Sequence, residues 1–532
     1  MPDSELRRRT GPQPPVPLNV RLPVDDAPAT DGMRNGQEAI LAAPEAMGGG
    51  GRRSAYADRD LTTGSIPRNL FHLGWPQVTE GAFNALDQLL DLFWAGNGAG
   101  ARGIASIGIA QNYIQFLRLG RMGVDIGMRA MVARSIGAGD LKLANHVVLQ
   151  GFTINLIMAL CTIVPGIFFT EFLLRFIGAS DALIQVGTLY MQVQFLASAA
   201  QGFRMMTGAS LQAAGDTLTP MKGSMIARVV DWVLTPLVMF GWLGFPEFGL
   251  VGVAMVNTLS NLIGFAVNTF GLVAGSSKLR LSFREYCLDF PLMWRMLRLA
   301  GPASVTNAER SLSQILIIGI VATFGDYALA AFALTRRVET VVNLGSQGLG
   351  NAAGVIAGQS IGAARPERAR ATLWWAVAYV TIMRVILGGL LFIFPIFFLS
   401  IFNQEPELLE VGVIWLQILV VGFILQGPVQ IFQQSFQIAG DTLMPMLTVI
   451  VTVWLVERPL AVILSGVAVG WSIFGWTPPL PEVTGLGQYG AAWALSLGMV
   501  TRLLVYFPYF LWGPWATKRI FGNRRVGASA GD

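Results

Sequence analysis

Long apolar runs recur along this chain, for example from Phe152 to Phe169 and from Val377 to Phe402. About 20 such residues suffice for a helix to cross a bilayer. A window of about 19 residues predicts twelve spans, near 69–95, 103–132, 143–170, 182–212, 220–243, 249–274, 300–324, 328–360, 369–401, 408–438, 443–470 and 488–512. The second is interrupted by Arg118, Arg121, Asp125 and Arg129, charges that face a wet cavity or mark its cytoplasmic end. The pattern predicts an all-α membrane protein.

The polar connectors alternate in charge. Even ones hold Arg134 and Lys142, then Lys222, then Lys278, Arg280, Arg284, Arg295 and Arg298, then Arg365, Arg368 and Arg370, while odd ones offer little beyond Arg102 and Arg175. Lys518, Arg519, Arg524 and Arg525 follow the last span. By the positive-inside rule both termini are cytoplasmic, in a plasma or inner membrane. Residues 276–299 mix basic side chains with Phe, Leu, Met and Trp, which suits an amphipathic linker lying in the interface.

Composition sharpens the picture. Of 532 residues, 53% are apolar and 13% charged, about half the charge of a soluble domain. Residues 1–68 differ: rich in Pro, Gly and Arg, they read as a disordered cytoplasmic tail without the apolar region of a signal peptide. Residues 516–532 read as a second tail. Cys161 and Cys287 lack metal-like spacing, and His72 and His146 fall near helix ends, so neither a metal nor a disulfide framework is indicated. The net charge of +5 fits basic loops beside an anionic leaflet and requires no nucleic acid.

The chain also repeats itself. Residues 214–221 read AGDTLTPM and residues 439–446 read AGDTLMPM, 225 positions apart. The same offset carries Gln212 onto Gln437 and residues 135–138 (SIGA) onto 360–363. With one residue of slippage, Leu73 and Pro76 match Leu299 and Pro302. Two six-span lobes follow, 69–275 and 300–515, in the same orientation and related by an axis along the membrane normal. Within each AGDTL turn, Gly215 suits the left-handed end of one helix. Asp216 or Thr217 suits the cap of the next, with Pro220 in its first turn.

These residues resemble the MATE (multidrug and toxic compound extrusion) family from about Pro67 to Trp515. The likeness rests on Pro76 followed by 90–94 (LDLFW), on 133–139 (ARSIGAG), on both GDT-x-x-P turns, on Gly249, Gly252 and Ala254, and on Trp454 with Arg458 and Pro459. The resemblance implies a V-shaped pair of lobes that alternates between inward-facing and outward-facing states. A proton or sodium gradient would drive export of organic, drug-like compounds by a monomer in the lipid bilayer. No cofactor is implied, and the sequence holds no nucleotide-binding G-x-x-x-x-G-K-[ST]. The chain looks nearer the DinF-type than the NorM-type branch, since the tenth span has Gln417, Gln426, Gln430, Gln433 and Gln434 in place of that branch's acid.

Acids within spans are the candidates for coupling, because a carboxylate in hydrocarbon is costly and usually serves an ion path. Asp87 and Asp91 share one face of the first span, and desolvation with like-charge repulsion disfavours two bare carboxylates there. Asp91 matches the first-span aspartate that the family uses for cation coupling. In the fifth span Asp231 stands where relatives carry Asn, and Thr235, before Pro236, stands where they carry Asp. Asn257 adds a polar ligand, and Glu309 is the second-lobe candidate. Gln430, Gln433, Gln434 and Met205 suit an adaptable substrate cavity. Structural ion pairs are the alternative: Asp91 with an arginine of a neighbouring helix, Glu309 with Arg336 or Arg337, Glu457 with Arg458.

Two other functions stay open. Arg118, Arg121, Arg129, Arg204, Arg228 and Arg384 would suit a flippase holding the pyrophosphate of a lipid-linked saccharide. A membrane scaffold without transport would not depend on Asp91. An enzyme is least favoured, for want of any clustered His, Cys or Ser constellation.

Overall fold

The computed structural model describes residues 59–176, 181–275, 277–282, 284, 286–401, 405–467, 486–518 and 520–521. Within the helices, the side chains of 88, 89, 91–93, 95–112, 116, 182, 183, 186, 341 and 344 lie outside the description. Regular structure among the described residues is helical throughout. In chain order the helices are α1 (Ile66–Gly137), α2 (Leu141–Phe168), α3 (Thr170–Phe176), α4 (Asp181–Ala214), α5 (Leu218–Phe240) and α6 (Gly249–Val273). There follow α7 (Phe290–Ala322), α8 (Asp326–Gly362), α9 (Pro366–Ile393), α10 (Pro395–Ser400) and α11 (Pro406–Ile438). The last are α12 (Leu443–Thr452), one turn of π-helix (Val453–Glu457), α13 (Arg458–Ser465) and α14 (Tyr489–Trp512).

The 72 helical residues of α1 would make a rod of roughly 108 Å if straight, but the chain doubles back within it. Glu80 lies 4.0 Å from Arg204, and the guanidinium of Arg121 lies against Gly202, two residues from Arg204. On a straight helix residues 80 and 121 would stand ~60 Å apart. The first two predicted spans are therefore the two limbs of α1. Seven helical stretches are long and apolar enough to cross a membrane: α2, α5, α6, α9, α11, α12–α13 and α14. The limbs of α1 with α4, α7 and α8 supply the other five, in which Asp87, Arg121, Arg204, Glu309 and Glu339 are buried. Twelve spans in two lobes result. Large side chains facing outward, such as Phe168 at 77% exposure and Trp512 at 81%, form a surface suited to lipid and not to water.

Local chemistry sets the helix ends. Asp140 accepts from the Leu143 N–H at 2.8 Å, and Asp289 accepts from that of Leu292 at 2.9 Å, each capping the helix that follows. In the AGDTL turns Gly215 and Gly440 have φ of +97° and +93°. The N–H of Asp216 returns to the Leu211 carbonyl and that of Asp441 to the Phe436 carbonyl, as a left-handed helix stop requires. Asp216, and not Thr217, provides the side-chain cap, taking the Thr219 N–H at 3.1 Å.

Helix α1 packs on α7 and α8 to make most of the seam between the lobes. Its crossings are reciprocal. Gly137 abuts the Gln359 backbone so closely that no Cβ would fit, and Gly362 does the same against Arg134. Positions 134 and 359, like 137 and 362, are mates at the offset of 225. Gly123 against Ala300 and Ser304 is mirrored by Gly348 against Gln77 and Val78. The repeat is thus a two-fold in space.

Two boundaries differ from the sequence reading. The amphipathic linker of 276–299 becomes helical only at Phe290 and runs on into the seventh span, while the described residues 281, 282, 284 and 286–289 are irregular and Ser282 and Cys287 are held by α2. Residues 59–65, assigned by composition to the tail, are placed, with Leu61 1% exposed. Composition understated them because one anchoring leucine does not alter an otherwise polar stretch.

Candidate functional site

In the first lobe, Glu80, Asn84 and Asp87 occupy one face of the first limb of α1, at helical spacing. They meet Ser224, Arg228 and Trp232 of α5. Arg228 Nη1 lies 2.5 Å from Asp87 Oδ2, and its Nε donates to Asn84 Oδ1 at 3.2 Å. Trp232 Nε1 donates to Asp87 Oδ1 at 3.0 Å and stacks on Phe83 with centroids 5.7 Å apart. Asp87 is therefore held as one half of a buried ion pair.

A chain of polar contacts runs beside this pair. Ser224 Oγ donates to Glu80 Oε1 at 2.6 Å and accepts from Arg204 Nη1 at 2.7 Å. Arg204 Nε donates to Asn261 Oδ1 at 2.9 Å, and Asn261 Nδ2 to Asn257 Oδ1 at 2.9 Å. Arg204 can cross to α6 because Gly264 is there, where a Cβ would lie 2.5 Å from its Cδ. Asn257 thus joins the network through Asn261.

Asp231 stands apart. It is 1% exposed and accepts one hydrogen bond, from Ser260 Oγ at 3.1 Å. Among the described residues no cation lies within 4.0 Å of it. Thr235, one turn on, is equally buried, and its hydroxyl has no hydrogen-bond partner. The side chain of Asp91 lies outside the described residues. Across the second limb of α1, a small cavity is lined by Arg118, Arg121, Asp125, Gln201 and Met205. Gln430, Gln433 and Gln434 do not line it: they lie on α11 in the other lobe, where Gln434 fills the space beside Gly350 of α8.

The second lobe pairs its charges differently from the sequence expectation. Glu309 is 6% exposed, and neither carboxylate oxygen has a hydrogen-bond partner. Arg336 binds Glu339 instead, and Arg310 reaches the same carboxylate at 3.9 Å. Gln426 Nε2 donates to Glu339 Oε1 at 2.9 Å. Glu457 pairs with Arg502 at 2.7 Å, not with Arg458, whose guanidinium lies over the Trp454 ring at 5.4 Å. Adjacent helical residues point in different directions, so Glu457 and Arg458 cannot meet. Gly498 leaves the space that Glu457 occupies on its way to Arg502.

Two carboxylates central to these clusters, Glu80 and Glu339, escaped the sequence reading. For Glu80 the signal was present: with Asn84, Asp87 and Asp91 it forms one polar stripe at i, i+4, i+7 and i+11. For Glu339 a local signal was also present, since Arg336 and Asn343 stand three residues before and four after it on α8, while Arg310 and Gln426 come from other helices and leave no such pattern.

The family model described as MatE matches residues 76–237 and 302–463, one match in each lobe. The chain is 27% identical over 441 residues to the Bacillus subtilis (strain 168) protein named "Probable multidrug resistance protein YoeA", covering 82% of this chain and 92% of that one. It is 24% identical over 355 residues to the "FAD transporter" of Shewanella oneidensis, covering 66% and 77%. A solved MATE structure in the bent conformation superposes with a TM-score of 0.76 at 18% identity, over 87% of this chain and 97% of that one. One of these relatives is named a transporter and the other a multidrug resistance protein, and neither name is that of an enzyme.

Proposed function

The chain belongs to the MatE family, and from that premise we propose that it is a secondary active transporter that exports organic or drug-like compounds by cation-coupled antiport. The two lobes alternate between inward-facing and outward-facing states, and the coupling ion is a proton or sodium. Multidrug resistance in the name of the Bacillus relative supports this substrate class. The placement is a plasma or inner membrane with both termini cytoplasmic, in keeping with the loop charges. The chain acts as a monomer. The DinF-type assignment rests on α11, whose acids, Glu407 and Glu410, fall in its opening turns.

The observation that carries the coupling role is the setting of Asp231. A carboxylate in mid-helix, 1% exposed and served by one hydroxyl, is expensive to keep charged, and ion or proton uptake relieves that cost. Asp91 joins it as the first-span coupling residue, with Asp87 orienting Arg228 beside it and Asn257 and Thr235 as polar ligands. Glu309 is the second-lobe candidate. Uptake into proteoliposomes under imposed pH or sodium gradients tests this. Asp231→Asn and Asp91→Asn should each abolish gradient dependence while the protein remains folded. Gradient-driven transport unaltered in both would overturn the assignment.

A further inference from the structure

The residues just before α1 sit where they touch both lobes at once. Arg368, in the first turn of α9, spreads its guanidinium over the carbonyls of Leu61, Thr63 and Gly64, at 2.6–3.2 Å. Arg365 donates to the Thr62 carbonyl at 2.8 Å. From the first-lobe side, Lys278 Nζ donates to the Arg59 carbonyl at 2.9 Å. Leu61 lies in one cluster with Ala352 and Ile356 of α8, and its side chain also meets Gly215 in the turn between α4 and α5. One leucine thereby touches both lobes. The backbone around it is held by Arg368 at Leu61 and by Lys278 at Arg59.

The two-fold explains why this is more than a frayed end. The linker before α7 lies over the first lobe in the corresponding way. Asn145 of α2 donates to the Ser282 carbonyl at 3.2 Å, Gln150 to the Cys287 carbonyl at 2.6 Å, and His146 pairs with Asp289 at 3.4 Å. Each segment precedes one lobe and clasps the other. The linker must be there to join the halves, whereas residues 59–65 have no such covalent duty. Their clasp is therefore free to be made and broken.

We propose that residues 59–65 are a strap that holds the lobes together on the face of the chain termini, and that its release accompanies the opening of that face. The proposal rests on the alternating-access reading above. Any separation of α1 from α8 on this side must pull Leu61 out of one lobe or the other. It must also break the Arg368 contacts or the Lys278 contact. The strap therefore weights the balance between the two states without lining the path of the cargo.

Distances between spin labels test this in the full chain. Labels at Lys142→Cys and Arg370→Cys, both exposed and in opposite lobes, are placed on a Cys161→Ser/Cys287→Ser background. Arg368→Gln removes the guanidinium without entering the core, and Leu61→Asp removes the plug. Each should raise the population with the longer distance about five-fold, the factor that ~1 kcal/mol produces. Gly137→Ala, which wedges the seam directly, is the control. If that control shifts the distribution and neither strap variant does, the strap is overturned and alternating access stands. A single short distance in every variant would overturn both.

Discussion

Asp87 and Arg228 face each other at 2.5 Å, and each side chain keeps only 6% of its exposure. Removing one partner of such a pair strands the other charge in a dry site, at a cost of about 3–5 kcal/mol, whereas replacing both is far milder. Asp87→Asn should accordingly lower the melting temperature of the purified protein sharply. Adding Arg228→Met to it should restore most of the loss. Equal melting of the single variant and the wild type would mean that the pair carries little stability.

The two second-lobe glutamates should respond in opposite ways to the same change. Glu309 has no hydrogen-bond donor on either oxygen, so Glu309→Gln takes away no hydrogen bond, removes a costly buried charge and should not lower thermal stability. Glu457 holds Arg502 at 2.7 Å, so Glu457→Gln should destabilise by about 3 kcal/mol. Gly498→Ala should behave like the latter, because its Cβ would occupy the space of the Glu457 side chain. Thermal unfolding of the three variants in one detergent separates these outcomes.

Ala364 adopts φ +57°, while its repeat mate Gly139 adopts φ +78°. Both end a helix with the same return of backbone N–H groups to the preceding turn. A left-handed residue with a Cβ costs about 1–2 kcal/mol, offset in part by the greater chain entropy of glycine. Ala364→Gly should therefore stabilise the protein by about 0.5–1 kcal/mol, seen as a small rise in melting temperature.

Acidification should loosen the strap through Asp60. Burial alone would raise its carboxyl, but hydrogen bonds from Thr62 and Thr63 and the charge of Lys278 outweigh that and hold it below its ordinary value of 3.8. Arg368 faces it from the second lobe. A depressed carboxyl contributes fully above its ordinary value, and the contribution fades as pH falls through the strap-bound value. The longer spin-label distance should thus grow in the wild type below about pH 4. Asp60→Asn should make it insensitive to pH over that range.

Spans and halves were legible because hydropathy and an octapeptide repeated almost unchanged report on them directly. The reciprocal glycine crossings follow from the same offset, since positions 137 and 362 are mates. Charge partners were not legible. Glu457 chooses Arg502, 45 residues away, over its neighbour Arg458, and only the packing of α14 against the π-turn decides that. Glu80 hid within a stretch read for hydropathy, although its stripe with Asn84 and Asp87 was visible. The strap was hidden by average composition, in which Leu61 is a single residue among polar ones.

The two AGDTL turns, almost letter for letter the same, have parted company in what they hold. Asp216 stays local, binding the Thr219 hydroxyl at 2.6 Å, while Asp441 reaches outward to Lys518 at 2.7 Å and to the Tyr509 hydroxyl. The same turn thus closes on itself in the first copy, and in the second it ties α14 and Lys518 to the lobe. A substitution at Asp216 breaks contacts within its own turn, whereas one at Asp441 breaks contacts to residues 68 and 77 positions away. Gene duplication here preserved the letters and divided the labour.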